Sequence, residues 1–154
     1  MLNEKVSKLL NEQINHELYS AYLYLDISNY YKDNGLDGFA NWYKIQAQEE
    51  RDHAMLFMEY LQNNGYRVTL DAIAKPDKEF EGFKMPLEAG LEHEIIVTNL
   101  INAIYSQAAE VKDYRTIQFL DWFVKEQGEE EANAEALIRK MELFGADPRG
   151  LYLL

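Results

Sequence analysis

Cysteine is absent from this chain. That absence excludes disulfides, thiolate zinc sites and thiol chemistry. Proline and glycine are scarce, with three and eight residues among 154, so long stretches run without a breaker. Basic residues are outnumbered, 15 Lys and Arg against 27 Asp and Glu, which leaves a formal net charge of −12. Phosphate binding needs basic surface, so nucleic acid is not an expected partner, whereas an acidic chain attracts cations. No apolar run is long enough to span a bilayer. The first stretch, MLNEKVSKLLNEQ, mixes charged and apolar residues at helical spacing and does not read as a secretory signal. A cytoplasmic protein with no membrane partner is the expectation.

What remains is a chain that is 47% apolar, enough for a sizeable core and too much for disorder. Its apolar residues recur at helical spacing, as in Val6, Leu10, Ile14, Ala21, Tyr24 and Ile27. The pattern predicts four helices of about 25–30 residues each, and so about 40 Å long. The first runs from about Asn3 to Lys32 and stops at DNGLDG. The second runs from Asp37 to about Asn63, before Gly65. The third starts at Pro86, a favoured first helical position, and ends near Glu110. The fourth starts at an Asp113 N-cap and runs to Phe144, with Gly145 as its stop. The segment 64–85 shows no sustained periodicity. A loop of that length suits an all-α four-helix bundle with one long crossover between helices two and three, which makes those two helices parallel. The bundle is expected over residues 1–145, with 146–154 as a short tail or fifth helix.

Most acidic residues of such a protein face water. Four glutamates resist that reading, because each lies on the stripe its helix should bury. Glu17 falls in line with Ile14 and Ala21, Glu50 with Ala47 and Ala54, Glu94 with Leu91 and Val97, and Glu130 with Phe123 and Leu137, with Gln127 on the same stripe. A lone buried carboxylate is costly, and four would repel one another unless cations sat between them. Their spacing sharpens the point. Glu17 and Glu50 are 33 residues apart, and so are Glu94 and Gln127. The midpoints of both pairs fall in the predicted turns, so each antiparallel hairpin brings its two polar groups to one height. INHEL at 14–18 also echoes LEHEI at 91–95, the mark of a duplicated hairpin. His53 lies three residues after Glu50 on the same face. Oxygen ligands with one imidazole suit iron or manganese. The alternative is a polar network in the bundle core, satisfied without metal.

The stretches NHELYSAYLY at 15–24, AQEERDHAM at 47–55, HEII at 93–96 and DWFVKEQGEEE at 121–131 resemble the non-haem bacterial ferritins along nearly the whole chain. The resemblance implies a ferritin-like bundle with a di-iron ferroxidase centre in each subunit. It implies oxidation of Fe(II) to Fe(III) by dioxygen or hydrogen peroxide, and storage of ferric oxyhydroxide in a homo-oligomeric 24-subunit cage. Carried over by position, Glu17, Glu50 and His53 hold one iron. Glu50 as a bridge, Glu94 and Glu130 hold the second, with Gln127 a ligand or hydrogen-bond partner. Glu49, Glu126 and Glu129 match a third, more peripheral iron site, or else form a solvated acidic patch. Tyr24 and Trp122 match aromatic positions beside the centre, Tyr24 with an electron-donor role. His16 and His93 adjoin ligand positions but point about 100° away on their helices and are read as non-ligands.

Departures narrow the choice. Symmetric relatives repeat the Glu-x-x-His pattern on helix four, where this chain has Gln127-Gly128-Glu129-Glu130. Arg51 stands where bacterioferritins place a haem-ligating methionine, so no haem is expected. The tail ending at Leu154 is short for the family, which bears on the last helix and on closure of a full shell. Two other readings are a dimeric di-iron peroxidase or oxygenase that stores nothing, and a metal-free helical scaffold.

Overall fold

A computed structural model describes residues 2–154. Its elements are α1 (Glu4–Asp33), α2 (Asp37–Asn63), α3 (Met85–Glu110), α4 (Tyr114–Phe144) and α5 (Pro148–Leu153), and no strand occurs among the described residues. The all-α class and the four long helices agree with the sequence reading, with ends shifted by a residue or less.

Local chemistry sets these ends. The Asn3 side chain accepts the backbone N–H groups of Lys5 and Val6, capping α1. Asp113 accepts from the Thr116 N–H at 3.1 Å and from its hydroxyl at 2.6 Å, so it is the N-cap of α4 that the sequence predicted. Pro86 takes the second position of α3, after Met85, and still lies in the first turn where no N–H is needed. At the end of α1, Gly35 with φ +77° donates its N–H to the Lys32 carbonyl, and Leu36 donates to Tyr31. At the end of α2, Gly65 and Tyr66 repeat the pattern on Gln62 and Leu61. The third such stop ends α3, where Lys112 with φ +58° takes the glycine's place. Helix α4 does end at Phe144, but Gly145 has φ −73° and is not left-handed. It is needed for close approach, since a Cβ there would lie 2.5 Å from the Met141 carbonyl oxygen.

Helix α1 packs along α2, α3 along α4, and α1 also meets α3. The crossover is fastened to α1 by side chains that no periodicity would reveal. Asn11 exchanges two hydrogen bonds with the Thr69 backbone, both 2.9 Å, and Asn15 donates to the Ala72 carbonyl at 2.9 Å. Near the other end of α1, Tyr30 and Tyr31 donate to the Gly82 and Phe83 carbonyls. The segment therefore travels the length of α1, and α3 runs antiparallel to α1 and parallel to α2.

The bundle has two apolar cores. One holds Val6, Leu10, Phe57, Leu61, Ile101 and Phe123. The other holds Leu23, Ile27, Tyr31, Tyr43, Leu87 and Met141. Between them lies a buried polar layer. Helix α5 packs on α4, with Leu151 and Leu154 against the second core.

Candidate metal centre

The polar layer contains the six residues singled out on the helical stripes. Glu17, Glu50, His53, Glu94, Gln127 and Glu130 are all at most 5% exposed. Each helix contributes at the height set by its distance from a turn. The two halves are related by a shift of 77 positions, which carries Glu17, Glu50 and His53 onto Glu94, Gln127 and Glu130. The same shift carries the Gly35 turn onto Lys112.

Two groups converge within the layer. In each, ligand atoms lie within 4.8 Å of one another: Glu17, Glu50 and His53 in the first, Glu50, Glu94 and Glu130 in the second. Glu50 belongs to both. In the first group His53 Nδ1 lies 3.3 Å from Glu50 Oε2 and 3.9 Å from Glu17 Oε2. Gln13, a buried residue that the sequence reading missed, donates to Glu17 Oε1 at 3.1 Å. Glu17 Oε2 and Glu50 Oε1 are buried with no hydrogen-bond partner. In the second group Tyr24 donates its hydroxyl to Glu94 Oε1, and Gln127 Nε2 donates to Glu94 Oε2 at 3.1 Å.

Electrostatics follow from this packing. Burial, followed by the charge of Glu50, holds Glu17 well above the usual carboxylate range. Burial also raises Glu50, with the charges of Glu94 and Glu130 adding to it. Glu94 is raised to about 7 by burial, against the lowering effect of the Tyr24 and Gln127 hydrogen bonds. Glu130 is raised to about 9 by burial, then by the charge of Glu94. Four carboxyls that resist ionising together, two with orphaned oxygens, form a layer that protein groups alone leave incomplete. Divalent cations could supply the missing partners, and the oxygen-rich donor set with one imidazole fits iron or manganese.

The other predicted residues are placed as follows. Trp122 is about half exposed, with its ring edge-on to His53 at a centroid distance of 5.4 Å. Tyr24 is buried on Glu94, with Tyr43 at 5.5 Å. Glu49 and Glu126 are half-buried and Glu129 is exposed. The charges of Glu49 and Glu126 help to raise Glu130, but no third group converges among the described residues as the first two do. His93 is buried and bonds Ser20 Oγ at 2.7 Å, and neither it nor His16 joins a converging group. Ser20 donates to the His16 carbonyl, so His93 Nε2 is the donor in that pair.

The family described as Ferritin-like domain matches residues 7–144. A protein named bacterial non-heme ferritin from Campylobacter jejuni is 40% identical over 153 residues, covering 99% of this chain and 92% of the relative. A protein of the same name from Staphylococcus saprophyticus is 40% identical with the same coverage. Among solved structures, an open pore ferritin from the archaeon Archaeoglobus fulgidus superposes with a TM-score of 0.96 at 42% identity, covering 99% of this chain and 94% of that one.

Proposed function

This chain belongs to the bacterial non-haem ferritins, and from that premise we propose that it stores iron by oxidising Fe(II) at the buried carboxylate layer. The observation that carries the reading is the pair of converging groups that share Glu50, with orphaned oxygens on Glu17 and Glu50. Ferrous iron is the substrate. One ion is held by Glu17, Glu50 and His53, the other by Glu50, Glu94 and Glu130. As cations arrive, the carboxyls that burial kept protonated release their protons.

Each ferrous ion gives up one electron. With dioxygen, two Fe(II), one O₂ and two protons yield two Fe(III) and hydrogen peroxide. With peroxide as oxidant, two Fe(II), one H₂O₂ and two protons yield two Fe(III) and two waters. The protein fixes ligand number and spacing in a buried layer. Where only one Fe(II) is bound, Tyr24, whose hydroxyl is bonded to Glu94, can replace the second ion as donor: one Fe(II), the tyrosine, one H₂O₂ and one proton yield Fe(III), a tyrosyl radical and two waters. Glu49 and Glu126, whose charges reach Glu130, would with Glu129 hold a third, more peripheral iron.

Storage needs an enclosure. Exposed apolar side chains on α1 and α2, among them Tyr22, Leu25, Ile45 and Leu56, support assembly with further copies, and we propose a 24-subunit cage. No helix among the described residues is long and apolar enough to cross a membrane. A ferrous titration under air, followed by light scattering, tests the proposal. Two ions oxidised per subunit, in a particle near 24 times 18.0 kDa, is the expected result. Fast oxidation in a dimer points instead to a di-iron oxidase that stores nothing, and no bound iron points to a metal-free scaffold.

A further inference from the structure

The two halves of the centre differ at two pairs of equivalent positions, His53 against Glu130 and Glu50 against Gln127, and only the second places an amide where a carboxylate stands. A carboxylate has two like oxygens and serves a cation whichever way it turns. An amide has an oxygen and a nitrogen, and the nitrogen repels a cation. Replacing Glu by Gln therefore creates a need to fix which end faces where.

The structure supplies that fixing. Gln127 Nε2 donates to Glu94 Oε2 at 3.1 Å, to the Glu94 carbonyl at 3.2 Å and to Thr98 Oγ1 at 3.2 Å. Thr98 accepts rather than donates because its own hydroxyl proton is committed to Glu131 Oε2 at 2.6 Å. An ionised carboxylate only accepts, so the polarity of the chain runs one way: Gln127 to Thr98 to Glu131. The amide nitrogen is drawn to Glu94 and Thr98 together, which leaves Oε1 as the end free to face a cation. In the first half the positions equivalent to Thr98 and Glu131 are Ala21 and Ala54, and no such chain exists. The support occurs only where the amide occurs.

We propose that Thr98 and Glu131 are positioning residues that lock the orientation of the Gln127 amide, and with it the Glu94 carboxylate, for the second metal. This inference rests on the two-ion reading above. Its consequence is selective, because only the second group depends on the lock.

The test is an anaerobic calorimetric titration of the full-length protein with Fe(II). Thr98→Val, which keeps the shape and removes the hydroxyl, should weaken the second ferrous ion about tenfold, the size of one net hydrogen bond. The first ion should be unaffected. Glu131→Ala should act in the same way, and Thr98→Ser should restore the second ion to within about twofold. The magnetic circular dichroism bands of the second ferrous ion should change with the two disruptive variants and return with Thr98→Ser. If Thr98→Ser binds as weakly as Thr98→Val, Thr98 acts through packing and the lock is wrong. Wild-type affinity in both Thr98→Val and Glu131→Ala also overturns it, and if the valine variant fails to fold, Glu131→Ala decides alone. Should the wild-type protein fail to bind two ferrous ions, the parent reading fails, a result distinct from an unaffected variant.

Discussion

The α1–α2 hairpin and the α3–α4 hairpin share one frame and fill it differently. In the first, Glu17 has a single donor, Gln13, and Glu17 and Glu50 each bury an oxygen with no partner. In the second, Glu94 takes hydrogen bonds from both Tyr24 and Gln127. The contrast shows in their acidity. Glu17 is driven well above the usual range, whereas its counterpart Glu94 rises only to about 7 because two donors favour its charged form. The first half is thus held open for a cation, and the second is partly satisfied before one arrives. Equal backbone placement does not imply equal demand for metal; the donors decide that.

Breaking the shared element should erase the contrast. Glu50→Ala removes the carboxylate common to both groups, and fast ferrous oxidation should fall at least about a hundredfold. His53→Ala touches the first group alone, so anomalous diffraction from iron-soaked crystals should show one depleted site. Wild-type stopped-flow rates in Glu50→Ala, or equal occupancy in His53→Ala, contradict the assignment.

A smaller effect should appear in the metal-free protein. Glu17→Gln removes a carboxyl that burial must hold neutral against its ordinary acidity, keeps an acceptor for Gln13, and should stabilise by about 1–3 kcal/mol at neutral pH. Glu94→Gln loses a well-bonded carboxyl and should stabilise little or not at all. The pH profile carries the same logic. Carboxyls raised from 4.5 to about 7 at Glu94 and about 9 at Glu130 contribute stability that is complete below about pH 4.5. That contribution is lost as pH rises through 7 and then 9. The thermal midpoint of the metal-free protein should therefore fall from pH 5 to 9, and a redox-inert divalent ion such as Zn(II) should reverse the fall by favouring the charged forms. A flat metal-free profile counts against the buried carboxyls.

The smallest effect concerns the turns. Gly35 and Lys112 occupy equivalent left-handed positions, with φ +77° and +58°. Lys112→Gly should gain about 0.5–1 kcal/mol, and Gly35→Ala should lose about 1 kcal/mol, by urea unfolding. A loss in the lysine variant removes strain from the account of that turn.

Much of this was readable from spacing alone. Paired residues 33 apart around predicted turns placed Glu17 against Glu50 and Glu94 against Gln127, because equal distance from a turn means equal height. The same spacing separates Thr98 from Glu131, yet neither interrupts an apolar stripe, so neither drew notice. Gln13 escaped for a different reason: an uncharged polar residue near a helix start has many ordinary explanations. The crossover was legible only as a gap in periodicity. Its course depends on Asn11, Asn15, Tyr30 and Tyr31 binding its backbone, and such bonds carry no sequence period. Gly145 marked the right place for the wrong reason, since contact with Met141 demands it.

The polar layer that parts the two apolar cores has a bearing on how the chain matures. Each hairpin brings its own ligands together through contacts close in sequence, the kind that form early and fast. Docking one hairpin on the other must then press four acidic groups into a dry layer, and this is the step that charge opposes. A cation offered at that moment acts as a rivet between two finished halves. Were that cation iron, the cargo would also complete the joint.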